Sequence, residues 1–247
     1  MPFKKVRGVD VYYSFRKRKS PVVVFIHGAG GNHLNWFYQI EYLPFTTIAL
    51  DLPGHGNSKG EPLDNIEDYA NFIRQFLDNF SEEYIIVGHS MGGHISLKLT
   101  STKVKVKGVA LISSTSKLPH LSPPADPENF CNNMFYSRKH FERCLKTADK
   151  ILKRKEIFSK DLKAARESDV SDVLNKIRMP VLFIFGTKDR ILNNEEIKRS
   201  LTLPKRYRAH FVTAGHMVMI EKFERVNRIL EEWIRTISKK VLNNPLS

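Results

Sequence analysis

The sequence of 247 residues lacks any apolar run long enough to cross a membrane, and it contains only two cysteines. The longest apolar runs, such as residues 22–26, fall well short of the ~20 residues that a membrane helix needs. No apolar segment follows the basic residues 1–5, so we expect no secretory signal. Cys131 and Cys144 form no Cys-X-X-Cys motif, and we predict free thiols in a reducing cytoplasm. These absences favour a cytoplasmic protein without a membrane span.

Acidic residues are few relative to basic ones: 26 against 40, which gives a formal net charge of +14. The positive charge is concentrated in residues 1–20, which contain seven Lys and Arg residues and only one Asp, and again at residues 153–155. No stretch interleaves basic and aromatic side chains in the way that an RNA-binding sheet does. We therefore interpret the charge as solvated surface and expect no nucleic-acid partner.

Short apolar runs at regular intervals are typical of buried strands in a parallel sheet that is covered on both faces. We predict strands at residues 22–27, 46–50, 84–87, 106–112, 181–185 and 208–212. Helical periodicity falls between them, at residues 65–80, 94–100, 195–201 and 221–237. This alternation predicts an α/β fold with a mostly parallel, doubly wound sheet. Residues 9–17 alternate loosely and are expected to pair antiparallel at the sheet edge.

One segment interrupts the alternation. Residues 116–176 contain no convincing strand; they begin with several prolines and then become helical and charged. We predict that they form a helical cap inserted into an α/β core made of residues 1–115 and 177–247. Three apolar cap residues, Phe130, Met134 and Phe135, are candidates for an apolar substrate pocket. Their helical spacing fits equally well with packing of the cap on the core.

The strongest chemical signal is the sequence Gly88-His89-Ser90-Met91-Gly92-Gly93, which follows a predicted strand and precedes a predicted helix. A sharp strand–turn–helix connection needs small residues at Gly88 and Gly92, and it exposes the Ser90 hydroxyl at the C-terminal edge of the sheet. The helix start places free backbone N–H groups beside that hydroxyl. The pattern predicts a nucleophilic serine, although Gly-X-Ser-X-Gly also occurs in plain strand-to-helix turns.

A serine nucleophile needs a base, and the base needs a group that orients it. In folds with this elbow the chain order is serine, acid, histidine. Asp189 follows the predicted strand at residues 181–185, and His216 follows the strand at residues 208–212. Taken alone, Asp189 fits a loop carboxylate or helix cap and His216 a packed core histidine. Their order, and their positions at the C-terminal ends of strands, favour a Ser90–His216–Asp189 triad.

Acyl transfer also requires donors for the oxyanion of the tetrahedral intermediate. One donor is expected to be the backbone N–H of Met91, directly after the serine. The other is expected from the glycine-rich loop at residues 27–31, where Ala29 is the candidate. We find no His-Glu-X-X-His sequence and no Cys and His cluster with ligand spacing, and we expect neither a metal nor a cofactor.

These motifs resemble the α/β-hydrolase fold superfamily, and more narrowly its carboxylesterase and C–C hydrolase-like branch. The resemblance covers nearly the whole chain except the cap, and it rests on residues 27–30, 51–58, 88–93, 186–189 and 214–216. It implies an eight-stranded sheet, the triad named above, and an oxyanion hole at Ala29 and Met91. It also implies structural roles for His27 and His55. Relatives with Asp at the nucleophile position are dehalogenases and epoxide hydrolases, which Ser90 excludes.

The sequence therefore predicts a serine hydrolase that cleaves small-molecule carboxylic esters, in a monomer or homodimer. The same triad also serves C–C bond hydrolases, thioesterases and lipid hydrolases, because specificity lies in the cap. A ligand receptor without significant catalysis is an alternative of a different class. His89 and His94 flank the elbow and are expected at packing or rim positions.

Overall fold

The computed structural model of the chain describes residues 3–78, 80 and 83–242, and these contain one eight-stranded sheet. The strands are β1 (Phe3–Val6), β2 (Val9–Arg16), β3 (Lys19–Ile26), β4 (Phe45–Leu50), β5 (Tyr84–His89), β6 (Val106–Ile112), β7 (Val181–Gly186) and β8 (Tyr207–Val212). They lie in the order β1-β2-β4-β3-β5-β6-β7-β8. Every pair from β4 to β8 is parallel. The mostly parallel, doubly wound sheet is thereby confirmed.

The first two strands correct one prediction. β2 pairs antiparallel as expected, but it pairs with β4 on one side and with β1 on the other, so it is not the edge strand. The edge is β1, whose short sequence Phe-Lys-Lys-Val is exposed or half-buried at its first three positions. β1 buries only Val6 and therefore has no apolar run. For that reason the sequence does not predict it as a strand.

Helices cover both faces of the sheet because successive strand residues point to opposite sides. In β3, Val23 and Phe25 pack on one face together with two helices, α1 (Phe37–Tyr42) and α10 (Phe223–Leu242). Val22, Val24 and Ile26 pack on the other face together with α2 (Ile66–Leu77) and α3 (Met91–Leu99). The helices of the core are α1 (Phe37–Tyr42), α2 (Ile66–Leu77), α3 (Met91–Leu99), α8 (Asn194–Thr202), α9 (Val218–Glu221) and α10 (Phe223–Leu242). A short 3-10 helix, His33–Trp36, precedes α1.

Local sequence explains where several helices begin. Asn65 and Asn193 cap α2 and α8 by accepting a hydrogen bond from the backbone N–H three residues later. The helix after the elbow begins at Met91, three residues earlier than predicted, so that its first turn contains Gly92 and Gly93. The helix predicted at residues 221–237 is divided into the short α9 and the long α10.

Four helices lie between β6 and β7, in the segment for which the cap is predicted. They are α4 (Pro127–Met134), α5 (Arg138–Leu152), α6 (Lys155–Arg166) and α7 (Ser171–Lys176). The segment leaves and rejoins the core at one place, because Lys117 and Asp169 form an antiparallel bridge and the Val170 N–H donates to the Ser116 carbonyl at 3.0 Å. We refer to residues 116–176 as the cap segment.

The two cysteines contradict the prediction of free thiols. Cys131 of α4 and Cys144 of α5 form a disulfide, with their Cα atoms 5.8 Å apart. Both are buried in a small apolar cluster of the cap segment. The pairing depends on how α4 packs against α5, which their separation of 13 positions does not reveal. One argument for a cytoplasmic location is thereby lost. Separately, none of the described helices is long and apolar enough to span a membrane.

Candidate active site

The predicted nucleophile lies at a strained turn between β5 and α3. Ser90 has φ 51° and ψ −120°, a conformation that non-glycine residues rarely adopt. The turn is tight, since a Cβ atom at Gly88 would lie 2.1 Å from the carbonyl oxygen of Gly92. A Cβ atom at Gly92 would lie 2.3 Å from the carbonyl oxygen of Ile26. The backbone around Ser90 therefore requires glycine at both positions.

His216 and Asp189 lie next to each other, as predicted for the base and its orienting acid. His216 Nδ1 is 2.8 Å from Asp189 Oδ2, and both side chains are almost completely buried. Asp189 Oδ1 accepts hydrogen bonds from the backbone N–H groups of Ile191 and Leu192, at 2.8 and 3.2 Å. Burial acts to raise the pKa of Asp189, but the His216 charge and these hydrogen bonds outweigh it and lower that pKa. An ionised Asp189 fixes the proton of His216 on Nδ1 and leaves Nε2 without a proton, which is the tautomer that the predicted base requires.

His89 and His94 are buried and support the surroundings of the elbow. His89 Nε2 lies 3.1 Å from the carbonyl oxygen of His216, and burial lowers its pKa to about 3. A neutral ring protonated on Nε2 donates to that carbonyl and helps to hold the His216 loop. His94 Nε2 donates to the Thr115 carbonyl at 2.9 Å, and its Nδ1 accepts from Ser168 Oγ at 3.0 Å. His94 thus ties α3 to Thr115, directly before the cap segment, and to Ser168 within it.

The glycine-rich loop after β3 lies against the elbow. A Cβ atom at Gly28 would be only 3.2 Å from the Cβ of Ser90. The Leu52 N–H donates to His27 Nε2 at 3.1 Å, so His27 carries its proton on Nδ1 and donates it to the Gly28 carbonyl at 2.8 Å. Within the described residues, the N–H groups of Ala29 and Met91 donate to no acceptor. Both predicted oxyanion donors are consequently available to a ligand.

A cavity of about 550 Å³ lies between these residues and the cap segment. Ser90, His216 and Ala29 form part of its wall, as do the three predicted pocket residues, Phe130, Met134 and Phe135. The wall is mostly apolar, with His140 and Arg143 of α5 as its polar members on the cap side. No group of three or more metal-ligating side chains occurs in the part of the chain that the structure describes.

Several residues of the cavity wall were not among the predicted site residues. Some lie in the 3-10 helix, in α1 and in α9, and others lie on the cap segment: Leu34, Phe37, Tyr38, Ile220, Phe158 and Leu162. The first three lie in a region for which the sequence analysis predicts neither a strand nor a helix. Phe158 and Leu162 are apolar positions on a helix that is otherwise charged, a pattern that does not distinguish a cavity wall from simple packing.

Comparison with known proteins agrees with the fold. The family model described as the alpha/beta hydrolase fold matches residues 21–141. An esterase structure from Exiguobacterium antarcticum superposes with a TM-score of 0.83 at 20% sequence identity, covering 94% of this chain and 98% of that one. This match, the eight-stranded sheet and its strand order show that the chain has the α/β-hydrolase fold.

Two curated bacterial proteins illustrate the range of its relatives. The dihydrolipoyllysine-residue acetyltransferase component of the acetoin cleaving system of Cupriavidus necator is 37% identical over 116 residues, which are 45% of this chain and 31% of that protein. The (E)-2-((N-methylformamido)methylene)succinate hydrolase of Acinetobacter baylyi is 25% identical over 251 residues, covering 90% and 93%. The chain spans about a third of the first relative's length and nearly all of the second's.

Proposed function

We propose that the protein is a serine hydrolase that cleaves carboxylic esters with short to medium acyl chains through an acyl-enzyme. The observation that supports this most directly is that Ser90, His216 and Ala29 border one mostly apolar cavity, while His216 is hydrogen-bonded to the buried Asp189. These are the parts that acyl transfer needs: a nucleophile, an oriented base and a free N–H donor beside a pocket.

In the proposed mechanism, His216 Nε2 accepts the hydroxyl proton as Ser90 Oγ attacks the ester carbonyl carbon. The N–H groups of Ala29 and Met91 stabilise the negative charge that develops on the carbonyl oxygen. Asp189 keeps the His216 ring in place and stabilises its positive charge. The alcohol leaves with the proton from His216. Water then attacks the acyl carbon and gives a proton to His216, which passes it to Ser90 Oγ as the carboxylic acid is released.

The cavity wall favours an apolar acyl or alcohol group. Phe130, Met134 and Phe135 supply aromatic and thioether surface, and Phe158 adds a further ring. Each methylene group transferred from water to such a wall contributes about 0.8 kcal/mol, which is about fourfold in kcat/KM. Activity should therefore rise by up to this factor per methylene until the cavity is full, and then fall.

The test uses a series of p-nitrophenyl esters of increasing acyl length, together with a fluorophosphonate that labels activated serines. Wild-type protein should turn over the esters and take up the label. Ser90→Ala should lose both, with a decrease in kcat of roughly 10⁴-fold or more. Ser101→Ala is the matched control, because Ser101 is an exposed serine beyond the end of α3; its activity should equal that of the wild type.

The other outcomes contradict the proposal in distinct ways. Labelling without turnover of any ester would contradict the proposal that the protein is an esterase and would indicate a ligand receptor. Absence of labelling would contradict an activated serine. The panel also contains a matched thioester and a β-diketone. If either is turned over faster than the esters, that compound class, and not the ester, is the substrate class.

A further inference from the structure

A carboxylate of the cap segment is buried beside the predicted oxyanion loop. Asp161 of α6 is completely inaccessible to solvent. Its Oδ2 accepts hydrogen bonds from the backbone N–H of Gly30 at 2.8 Å and from His55 Nε2 at 2.7 Å. Its Oδ1 accepts from the Tyr69 hydroxyl at 2.8 Å. A buried carboxylate is costly unless it is paired and hydrogen-bonded, and this one is both.

The partner of the carboxylate is a buried cation. His55 Nε2 donates to Asp161, and its Nδ1 lies 2.9 Å from the Pro53 carbonyl oxygen, which can only accept. With an acceptor at each ring nitrogen, His55 is an imidazolium. Burial alone would lower the pKa of His55, but the hydrogen bond to Asp161 and its charge outweigh burial and raise it. Because the ion pair joins the loop after β4 to α6, it anchors the cap segment on the core.

The same helix contacts the glycine-rich loop a second time. Phe158 lies one turn before Asp161, and its ring covers Gly30: a Cβ atom at Gly30 would be 2.4 Å from Phe158 Cδ2. Gly30 has φ +63°, a conformation that favours glycine. Gly30 is therefore held by a hydrogen bond to its N–H and by a ring against its Cα. The next residue towards the N-terminus is Ala29, the predicted oxyanion donor.

We propose that Asp161 is a positioning residue for the oxyanion hole: its Oδ2 atom, paired with His55, fixes Gly30 and thereby the orientation of the Ala29 N–H. The inference rests on the proposed function of the site. It gives the cap segment a part in transition-state stabilisation besides enclosing the substrate. A charged acceptor makes a stronger hydrogen bond to Gly30 than a neutral one, which explains why a carboxylate is used in the interior.

The test is Asp161→Asn, which keeps the size of the side chain and removes its charge. Loss of one oxyanion donor costs about 10² to 10³ in kcat, so a displaced donor should cost at least about tenfold. KM for a short ester should stay within about threefold, because the apolar cavity wall is unchanged. The affinity for an alkyl trifluoromethyl ketone, which forms an oxyanion on Ser90, should fall by the same factor as kcat/KM.

Two controls separate positioning from stability. Tyr69→Phe removes a different hydrogen bond of the same carboxylate and leaves the Gly30 contact; it should lower the melting temperature but keep kcat within about threefold of wild type. Asp172→Asn changes an exposed acid of α7 and should change neither. If Asp161→Asn does not fold, Asp161→Ala serves the same purpose, since water can enter the space and His55 can lose its proton.

The proposal is overturned if the Asp161 variant keeps kcat and trifluoromethyl ketone affinity within about threefold of wild type while its melting temperature falls, which is the pattern of a merely structural residue. It is also overturned if Tyr69→Phe loses kcat as severely as the Asp161 variant. Failure of the proposed function is distinguishable from both results, because in that case the wild-type protein itself shows no Ser90-dependent turnover.

Discussion

The disulfide between Cys131 and Cys144 joins two helices of the cap segment, and breaking it should weaken the cavity wall. The bond closes a loop of 13 positions. In the chain-entropy account, a cross-link of about this span stabilises the folded protein by about 3 kcal/mol. For a chain of this length, 1 kcal/mol corresponds to roughly 2–4 °C in melting temperature. Reduction should therefore lower the melting temperature by roughly 6–12 °C if the cap segment unfolds together with the core.

The effect on activity should depend on the substrate. Phe130 and Cys144 belong to the cavity wall, whereas Ser90 and its partners lie on the core. Reduction with dithiothreitol should hence lower kcat/KM for the longest accepted acyl ester more than for the acetate. The measurement is the acyl-length profile with and without reductant, beside a thermal melt.

The matched control is the double variant Cys131→Ala with Cys144→Ala, which should resemble the reduced protein and show no further response to reductant. Equal melting temperatures and equal acyl-length profiles for oxidised and reduced protein would refute the reasoning. An equal loss for all esters would contradict the expectation that the disulfide supports the cap side of the cavity wall and not the surroundings of Ser90.

Three further changes test the site and its surroundings. Asp189→Asn should lower kcat by about 10⁴-fold with an unchanged circular dichroism spectrum, because an amide does not hold His216 in the required tautomer; a loss below tenfold would contradict its role. Gly88→Ala should cost several kcal/mol in a urea titration, since its Cβ would meet the Gly92 carbonyl oxygen; an unchanged midpoint would disprove the tight turn. The pKa of His55 is raised in the folded state, so protonation of His55 stabilises that state. The full stabilisation is present at pH values below the ordinary pKa of 6.5, and it is lost as the pH rises through the folded-state pKa. The advantage of wild type over His55→Gln in free energy of unfolding should shrink as the pH rises above 6.5 and through the folded-state pKa of His55, and a constant difference would contradict the imidazolium. The titratable groups that face His55 are Asp161, Asp51, His27 and Tyr69.

The sequence predicted the parts of the fold that are buried on both sides. β8 was also predicted, although it is the second edge strand and only its Val212 is buried. β6 has the predicted bounds, and the other strands that are buried on both sides, β3, β4, β5 and β7, lie within a few residues of theirs. Such strands are continuous apolar runs, so composition alone reveals them. β1 escaped prediction because an exposed edge strand has no such run. The helix after Ser90 begins earlier than predicted because its first turn contains Gly92 and Gly93. Glycine has a low helix propensity, but only glycine fits where these two residues approach neighbouring backbone and Ser114.

For the candidate site, the order of residues along the chain predicted those members whose chemistry requires a particular residue type at the end of a strand. Ser90, Asp189 and His216 could be proposed in this way, and so could Ala29. Asp161 could not, because an acid among lysines on a charged helix is indistinguishable from a solvated residue until the helix is docked. The disulfide partners were misjudged for the same reason: their contact is created by the packing of helices, which no local pattern encodes.

The bridge between Lys117 and Asp169 has a consequence for how this protein could change. The chain leaves the sheet after β6 and returns to almost the same point at Asp169, so α4, α5 and α6 form a single excursion with adjacent ends. Insertions with adjacent ends can be lengthened, shortened or exchanged without altering any strand pairing. New pocket shapes can therefore be grafted onto an unchanged Ser90, provided that the graft again supplies a buried acceptor for Gly30.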